Sequence, residues 1–240
     1  MVKEETCPIY EVFFSFQGEG LYTGQPQIFV RTAGCNVNCS YCDTSYSKII
    51  SYEADYLSSD MLLKNVCLVY RENREIFQSL NMKNPVVSIT GGEPLIYTAF
   101  LKSFFKKLKD KNFDIYLETN GTLPENVKEI VGFCDVVSMD FKFPSDCAKD
   151  FWEVHKEFLE VTKEKAFVKC VITKNTKLQE IIKSAELIKS IDQNLSLILQ
   201  PSIDRDTPLI QNLYVFYHEA KKMLLNVYLM VQMHKIFAIR

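Results

Sequence analysis

Three cysteines, Cys35, Cys39 and Cys42, lie within a span of eight residues, directly after an apolar run that ends at Arg31. Their spacing is C-x3-C-x2-C, and thiolates this close on one loop can converge on a single metal centre. A structural zinc site closes its shell with four ligands, but the first histidine of the chain comes only at position 155. A [4Fe–4S] cluster normally takes four cysteines as well. Three ligands would leave one iron open to bind a cofactor, and a zinc or buried-thiol loop is the alternative.

The other five cysteines do not suggest a disulfide framework. Such frameworks are typical of short secreted chains, and the N-terminal residues MVKEE are too acidic for a signal peptide. Each of the five lies singly in an apolar segment, where a cysteine behaves as a small hydrophobic side chain. We expect that role for Cys7, Cys67, Cys134, Cys147 and Cys170.

Composition excludes several classes of protein. The chain of 240 residues is 47% hydrophobic and 24% charged, which excludes intrinsic disorder and fits one globular domain. Its 28 basic and 30 acidic residues give a net charge of −2, without the basic excess that is typical of nucleic-acid binding. No uncharged apolar stretch approaches the roughly 18 residues of a membrane span. We therefore expect a cytoplasmic protein that binds neither nucleic acid nor membranes.

Short apolar runs alternate with longer amphipathic segments through most of the chain. The runs are almost continuously apolar, as in strands covered on both faces, and they predict strands at 12–14, 27–31, 85–89, 114–118, 136–140, 167–172, 195–200 and 227–231. The amphipathic segments predict helices at 61–79, 98–109, 148–162, 178–190 and 207–225. This alternation is typical of an α/β fold with a mostly parallel sheet. About six β/α units are too few for the eight of a full barrel, which favours a partial (β/α)6 barrel.

Polar motifs follow the predicted strands at the ends where active sites of such folds lie. The motif TGGEP at 90–94 follows strand 85–89. Its glycines allow a close backbone approach to a ligand, and Glu93 could accept a hydrogen bond from an ammonium group. Residues 118–121, 138–142 and 200–201 occupy the same position after later strands. Any one of these would be an ordinary capped or solvated loop, but four in register indicate a site.

Together these motifs resemble the 7-carboxy-7-deazaguanine synthase family of the radical S-adenosylmethionine (SAM) superfamily. The similarity runs from about residue 11 to the C-terminus and includes FFSFQGEG at 13–20, CDT at 42–44, LETNGT at 117–122 and QMHK at 232–235. It implies one radical SAM domain over 1–240, with a substrate-binding segment at about 10–31 and a C-terminal tail that closes the active site. It also implies conversion of 6-carboxy-5,6,7,8-tetrahydropterin to 7-carboxy-7-deazaguanine, with ring contraction and ammonia loss, towards 7-deazapurines such as the queuosine base.

The resemblance further implies which residues bind the cofactors and the substrate, and it implies no side-chain acid or base. Cys35, Cys39 and Cys42 would hold a [4Fe–4S] cluster, and Thr44 would bind Mg²⁺ through its hydroxyl. The implied contacts of SAM are Tyr41, Cys42, Asp43, Gly92, Ser138, Met139, Asp140 or Lys142, Gln200, Pro201, Ser202 and Ile203. The implied contacts of the pterin are Phe16, Gln17, Gly18, Arg31, Thr90 and the C-terminal Arg240.

Two other hypotheses stay open at this point. A glycyl-radical-enzyme activase also uses C-x3-C-x2-C and would act on a large partner protein, although the loop at 17–20 argues against it. A non-enzymatic metal-binding or electron-carrier module would hold zinc instead of iron and sulfide. For the deazaguanine synthase hypothesis, the resemblance adds a small-molecule pterin substrate, a homodimer and an electron donor of unspecified identity.

Overall fold

The computed structural model describes residues 5–51, 53–80, 82–202 and 210–237. Within these ranges the strands are β1 (Thr6–Phe16), β2 (Pro26–Thr32), β3 (Asp55–Ser58), β4 (Val86–Gly91), β5 (Asp114–Thr119), β6 (Val136–Phe141), β7 (Ala166–Ile172), β8 (Ser196–Pro201) and β9 (Asn226–Leu229). The α-helices are α1 (Ser59–Glu72), α2 (Arg74–Ser79), α3 (Thr98–Asp110), α4 (Pro124–Lys128), α5 (Pro144–Cys147), α6 (Trp152–Thr162), α7 (Leu178–Ile191), α8 (Ile210–Lys221) and α9 (Met233–Phe237).

All nine strands of the described residues form one sheet, in the order β3-β1-β2-β4-β5-β6-β7-β8-β9. From β2 to β9 each neighbouring pair in that order is parallel, as helical crossovers between strands require. Strand β1 is antiparallel to both β2 and β3 and extends the sheet at its other end. Because β3 and β9 are edges within the described ranges, the sheet is an open, partial barrel. The prediction of an α/β fold with a mostly parallel sheet is confirmed.

The core lies between the sheet and the helices that cover it. Central strand residues such as Ile89, Leu117 and Leu199 are completely buried, which explains the near-continuous apolar runs in the sequence. On the helical side, Phe104 and Phe105 of α3 are also completely buried. The apolar face of each helix thus supplies the cover that a parallel sheet needs.

Substitution of Phe104 by alanine tests this core. Phe104 is 0% exposed and lies 6.1 Å, ring centre to ring centre, from Phe100. Phe104→Ala is expected to lower the free energy of unfolding by about 3–5 kcal/mol, because it leaves a cavity that rigid neighbours cannot fill. The measurement is urea unfolding followed by circular dichroism. Leu68→Ala, at a half-exposed position of α1, is the control and should change the value by no more than about 0.5 kcal/mol.

The structure departs from the predicted elements in a few places. The segment 61–79 is not one helix, because Asn73 ends α1: its side-chain amide donates to the carbonyl of Val69 at 2.9 Å and competes with the helical backbone. The helix predicted from residue 148 begins at Trp152, since Ala148 has a left-handed conformation (φ 53°). Strand β3 and helix α4 were not predicted because both are short and carry polar residues. Residues 207–209 of the helix predicted at 207–225 lie outside the described ranges.

None of the helices in the described ranges combines the length and the apolar character that crossing a membrane would require.

Candidate active site

The carboxyl ends of the parallel strands surround a cavity of about 430 Å³. Four parts of the chain contribute to its wall: the segment after β1, the three-cysteine loop after β2, the strand ends, and the segment before and within α9. Of the predicted site residues, those that line it are Phe16, Gln17, Gly18, Arg31, Cys35, Cys39, Tyr41, Cys42, Asp43, Thr44, Thr90, Gly92, Ser138, Asp140, Lys142 and Ser202.

The three-cysteine loop is held at both ends, so its sulfur atoms share one cavity wall. Gly34 has φ 91°, which glycine adopts without strain, and turns the chain away from β2. Its amide donates to the carbonyl of Ser47 at 2.7 Å, and the Cys35 amide donates to that of Lys48 at 3.1 Å. The Lys48 ammonium group donates in turn to the carbonyl of Cys39 at 2.8 Å. Backbone hydrogen bonds and the side chain of Lys48 therefore hold the loop in place.

The residues around this loop fit a bound iron–sulfur cluster and cofactor. The three thiols of Cys35, Cys39 and Cys42 are soft donors on one wall, as an iron–sulfur cluster requires. A Cβ added to Gly92 would lie 1.9 Å from the carbonyl oxygen of Gly34, so only glycine leaves room there. The Oδ1 atom of Asp140, a cavity-lining residue, is buried and lacks a hydrogen-bond partner among the described residues, and such an atom suits a ligand donor.

A buried chain of charged groups crosses the cavity wall. Lys142 lies 2.9 Å from Asp140, and Lys169 lies 3.7 Å from the same carboxylate. Lys169 also donates a hydrogen bond to Glu19, which follows β1. Burial opposes ionisation of Glu19, but the attraction of Lys169 outweighs it and holds the pKa of Glu19 down to about 2. Burial likewise opposes the charge on Lys169, and Glu19 and Asp140 raise its pKa above the usual value. Both groups are therefore charged at neutral pH.

A second polar group, formed by Gln17, Thr90 and Glu118, also lines the cavity. The side-chain amide of Gln17 donates to Glu118 Oε1 at 2.9 Å, and the Thr90 hydroxyl donates to Glu118 Oε2 at 3.0 Å. Near them, Arg31 pairs with Glu11 at 2.7 Å and lies 5.6 Å from the centre of the Phe13 ring. These contacts orient a carboxylate and a guanidinium group towards one space.

The segment 232–235 lines the cavity and packs against the segment that follows β1. Gln232 donates to Glu19 Oε1 at 2.8 Å, and the amide of Met233 donates to the carbonyl of Gly18 at 2.9 Å. A Cβ on Gly18 would lie 2.6 Å from His234 Nδ1, so glycine is needed for this approach. Burial tends to raise the pKa of Asp43, but a hydrogen bond from His234 and the charge of Lys235 lower it well below its usual range.

Glu93 has a structural role in this protein, and it is not among the residues that line the cavity. Its carboxylate accepts hydrogen bonds from the amides of Leu95 (3.0 Å) and Asn120 (2.7 Å) and from the hydroxyl of Thr119 (2.8 Å). The side chain is 0% exposed, and burial raises its pKa to about 7 despite these donors. The expected contact with an ammonium group is therefore replaced by contacts within the chain.

This raised pKa predicts a pH dependence of stability. Between the unfolded value near 4.5 and the folded value near 7, the folded state binds more protons at Glu93, so stability falls as pH rises. Wild type is expected to lose about 3 kcal/mol relative to Glu93→Gln across this window. Urea unfolding between about pH 4 and 8 measures it, with Glu125→Gln, an exposed glutamate, as control. If the difference in free energy of unfolding between wild type and Glu93→Gln stayed constant across this pH window, the raised pKa of Glu93 would be contradicted.

Five predicted site residues either do not line the cavity or lie outside the described ranges. Met139 is completely buried in the core, because alternate residues of β6 face opposite sides and Ser138 and Asp140 face the cavity. Only its main chain is left for a cofactor contact. Gln200 and Pro201 end β8 outside the wall, and both amide atoms of Gln200 are buried without a partner among the described residues. Ile203 and Arg240 lie outside the described ranges.

The prediction that the isolated cysteines pack as small hydrophobic side chains is confirmed, but Cys147 does so outside the main core, against Val37, Cys39 and Phe151. Cys7, Cys134 and Cys170 are buried in the main core, and Cys67 packs against it from α1. Cys147 instead lies beside the cluster loop, with its sulfur 3.3 Å from that of Cys39. The segment that holds it folds back onto the loop through α5, which was not predicted.

Sequence reasoning missed several residues of the site. Lys169 lines the cavity and forms an ion pair with Glu19, and Glu118 lines it as a hydrogen-bond acceptor. Glu19 and Gln232 link the segment after β1 to the segment before α9. One signal for Lys169 existed, because it is the single charged residue in the otherwise apolar strand AFVKCVI. Glu118 was recognised as part of a strand-end motif, but its role depends on contacts that the motif does not specify.

Comparison with known proteins identifies the class. Residues 29–188 match the model of the radical SAM superfamily, which is more than half of the chain. The chain therefore belongs to this superfamily, and it is an enzyme for which the family implies a [4Fe–4S] cluster and SAM as cofactors. The fold and the three-cysteine loop agree with this class.

Relatives within the superfamily identify the family more closely. A 7-carboxy-7-deazaguanine synthase from Geobacter sulfurreducens is 32% identical over 203 residues, or 80% of each chain. Those from Thermococcus kodakarensis and Methanocaldococcus jannaschii are each 31% identical, over 94% and 95% of this chain and 96% and 98% of their own. The chain belongs to the 7-carboxy-7-deazaguanine synthase family, and its role is that of a radical SAM lyase in 7-deazapurine biosynthesis. The activase and metal-module hypotheses are not favoured.

Solved structures agree with the fold. The crystal structure of QueE from Escherichia coli matches with a TM-score of 0.61 and 23% identity, over 95% of each chain. An archaeal TYW1 matches with a TM-score of 0.56 and 15% identity, over 82% of this chain and 72% of its own. At these identities the likeness concerns the fold alone.

Proposed function

We propose that this chain converts 6-carboxy-5,6,7,8-tetrahydropterin to 7-carboxy-7-deazaguanine, with ring contraction and loss of ammonia. The observation that carries the proposal is that two chemically different sets of side chains line one cavity. One is the three thiols of the loop at 35–42, and the other is the hydrogen-bonded group of Gln17, Thr90 and Glu118. The first suits an iron–sulfur cluster, and the second suits a small polar heterocycle. The names of the relatives support the product.

The thiol side of the cavity supports the assignment of cluster and SAM contacts. Cys35, Cys39 and Cys42 are the proposed cluster ligands, and the cluster when bound supplies the electron that cleaves SAM to a radical. Lys142 and Asp140 both line this cavity, so we assign a SAM contact to each. Asp140 Oδ1 is buried without a partner among the described residues and can accept from a hydroxyl. The other proposed contacts are Tyr41, Asp43, Gly92, Ser138, Ser202, the main chain of Met139, and residues 200, 201 and 203.

The other side of the cavity supports the assignment of pterin contacts. A pterin edge presents adjacent N–H donors, and the carboxylate of Glu118 can accept two such bonds at once. Gln17 and Thr90 hold this carboxylate in place through its two oxygen atoms. Arg31 suits the carboxylate of the substrate, because a guanidinium group binds carboxylates through two parallel hydrogen bonds. Phe16 and Gly18 complete the proposed pocket, and Arg240 is kept as a proposed contact of the chain end.

Closure of the site by segment 232–235 supports a reaction shielded from water. Glu19 joins three parts of the chain, because it accepts from Lys169 and Gln232 and lies 3.9 Å from His234. These contacts hold the N-terminal segment and the segment 232–235 together at the cavity mouth. The work of the chain in this proposal is to bind, orient and enclose the substrate beside the cofactor.

Thr44 is proposed to hold Mg²⁺, which prefers oxygen ligands and keeps several waters. The residue lines the cavity, is half-buried and has its hydroxyl 3.9 Å from the sulfur of Cys42. Thr44→Val keeps the shape of the side chain and the main-chain carbonyl that Ser47 contacts. It is expected to raise the Mg²⁺ concentration for half-maximal rate about 10- to 100-fold. Ser45→Ala, at the neighbouring position, is the control. If Thr44→Val showed the same Mg²⁺ dependence as wild type, Thr44 would not be a Mg²⁺ ligand.

The test of the proposed function is an anaerobic reaction of iron–sulfide-reconstituted protein with SAM, Mg²⁺, reductant and 6-carboxytetrahydropterin. Mass spectrometry reads the products. Appearance of 7-carboxy-7-deazaguanine is the expected result. Formation of 5′-deoxyadenosine alone would keep the radical SAM class and reject the substrate. Neither product from a fully loaded cluster would reject both.

Three further proposals rest on the family resemblance. They are a homodimer, an electron donor that reduces the cluster, and a cytoplasmic location. The last has a chemical argument, since an open iron site is sensitive to oxygen and suits a reducing compartment. Sedimentation of the full chain tests the first of the three.

A further inference from the structure

Two cysteines that are 108 positions apart in the sequence lie in contact beside the cavity. The sulfur of Cys147 is 3.3 Å from that of Cys39, and both are free thiols. Cys39 lines the cavity and Cys147 is half-buried at the end of α5. Neither the family resemblance nor the proposed cluster site assigns any role to Cys147.

The backbone holds these two sulfur atoms together. The amide of Ser40 donates to the carbonyl of Asp146 at 3.1 Å, and the Ser40 hydroxyl donates to its carboxylate at 2.8 Å. That carboxylate is fixed in turn by Thr173 and Asn175. Residues 40 and 146 are thus joined twice, and their chain neighbours Cys39 and Cys147 meet beside this joint. A disulfide needs the sulfur atoms to approach to about 2 Å, a small movement from their observed contact.

The surroundings of the pair favour thiol–disulfide exchange. Exchange begins with a thiolate, and a nearby positive charge or a hydrogen-bond donor stabilises that form. Lys48 donates to the carbonyl of Cys39, and the Cys147 thiol donates a hydrogen bond to the Cys39 sulfur. Cys39 is largely buried but lines the cavity, and Cys147 is half-buried beside it, so a small reagent approaches the pair through the cavity.

We propose that Cys39 and Cys147 form a reversible disulfide in the cluster-free protein, by exchange with a low-molecular-weight disulfide. The thiolate of Cys39 attacks the reagent, one sulfur–sulfur bond breaks as a mixed disulfide forms, and one equivalent of the small thiol leaves. Cys147, after losing its proton, attacks the Cys39 sulfur and releases the second equivalent. The protein loses two electrons and two protons, and the small disulfide is reduced to two thiols.

The consequence for the enzyme rests on the proposed function, in which Cys39 is a cluster ligand. A sulfur that is bonded to Cys147 cannot bind iron, so the disulfide form cannot load a cluster. Reduction returns the free thiolate and with it the capacity to load. Conversely, a bound cluster protects Cys39 from forming the disulfide, because its sulfur is then bound to iron.

The test begins with the full chain, cluster-free and fully reduced, treated anaerobically with oxidised glutathione. Free thiols are then alkylated, and the protein is digested with trypsin without reduction. Cys35, Cys39 and Cys42 all lie on one expected peptide (32–48), and Cys147 lies on another (143–149). Fragmentation of the linked pair therefore has to locate the bond, and a bond at Cys39 is expected. A bond at Cys35 or Cys42, a bond within the loop, or no link would overturn the proposal.

A second readout measures cluster loading after the same treatment. Oxidised wild type is expected to lose most of its iron and sulfide uptake and to recover it with dithiothreitol. Cys147→Ser lacks the resolving thiol, so it should stop at the mixed disulfide and carry glutathione on Cys39 in place of the linked peptides. Cys67→Ser, on α1, should behave as wild type. If reduced wild type takes up no cluster, the cluster assignment fails. The peptide analysis still shows independently whether the disulfide between Cys39 and Cys147 forms. If oxidised wild type loads normally despite the link, the proposed consequence is wrong.

Discussion

Replacing Cys42 by serine is expected to reduce turnover to the uncatalysed background while the chain stays folded. Three thiolates are the minimum that holds a four-iron cluster with one iron open, and a neutral hydroxyl does not replace a thiolate on iron. Iron content should fall well below about four per chain. Formation of 5′-deoxyadenosine from SAM should disappear together with the deazaguanine product. Iron and sulfide analysis and mass spectrometry of both products measure these effects.

Cys42 is the best of the three cysteines for this test. Cys39 contacts Cys147, so its loss would change two thiols at once, whereas the Cys42 sulfur lies 3.9 Å from the hydroxyl of Thr44. Cys67→Ser is the matched control and should keep the full iron content and activity. A Cys42→Ser protein that still binds four irons and cleaves SAM would show that this loop does not hold the cluster.

Glu118→Gln is expected to lower kcat/KM for the pterin by about 10²- to 10³-fold. The substitution removes a charge-assisted acceptor from a site where the N–H donors of the substrate would then meet an amide. Cleavage of SAM in the absence of pterin should be unchanged, because Glu118 belongs to the proposed substrate group. The measurement is initial-rate kinetics of 7-carboxy-7-deazaguanine formation, with 5′-deoxyadenosine measured in parallel.

Glutamine has nearly the same shape as glutamate, so Glu118→Gln can retain the hydrogen bonds that surround this side chain. A glutamine can still accept from Gln17 through its oxygen, and the Thr90 hydroxyl can rotate to accept from its nitrogen. Glu157→Gln, at an exposed position of α6, is the matched control and should leave both rates unchanged. Equal loss of SAM cleavage and pterin turnover would move Glu118 from the substrate group to the cofactor group.

Much of the fold could be predicted because its signals are local. The strands predicted at 114–118 and 167–172 differ from the observed β5 and β7 by one residue at one end, since continuous apolar runs are specific to covered strands. The helix α3 likewise differs from its prediction by one residue. One error occurred where a single side chain decides, at Asn73, whose amide contact to Val69 divides the helix. Strand β3 and helix α4 were missed because short elements with polar residues give a weak signal.

The site was predictable in part for a related reason. Cys35, Cys39 and Cys42 share one loop, so their convergence follows from spacing, and strand-end motifs such as Thr90 share one edge because parallel strands end there. Met139 shows the limit of this reasoning, because the motif that contains it does not state which residues of β6 face the cavity. Glu93 shows another, since its three hydrogen-bond donors come from the chain itself.

The sequence by itself determined the α/β alternation, the position of the cysteine loop and the family to which the chain belongs. All three depend on residues close together in the chain. Only the tertiary structure decided which distant groups meet: Lys169 with Glu19, Glu118 with Gln17, and Cys39 with Cys147, at separations of 150, 101 and 108 positions. The physical reason is that such contacts depend on strand order, register and loop closure. These are set by the packing of the whole sheet, and no short stretch of sequence carries them.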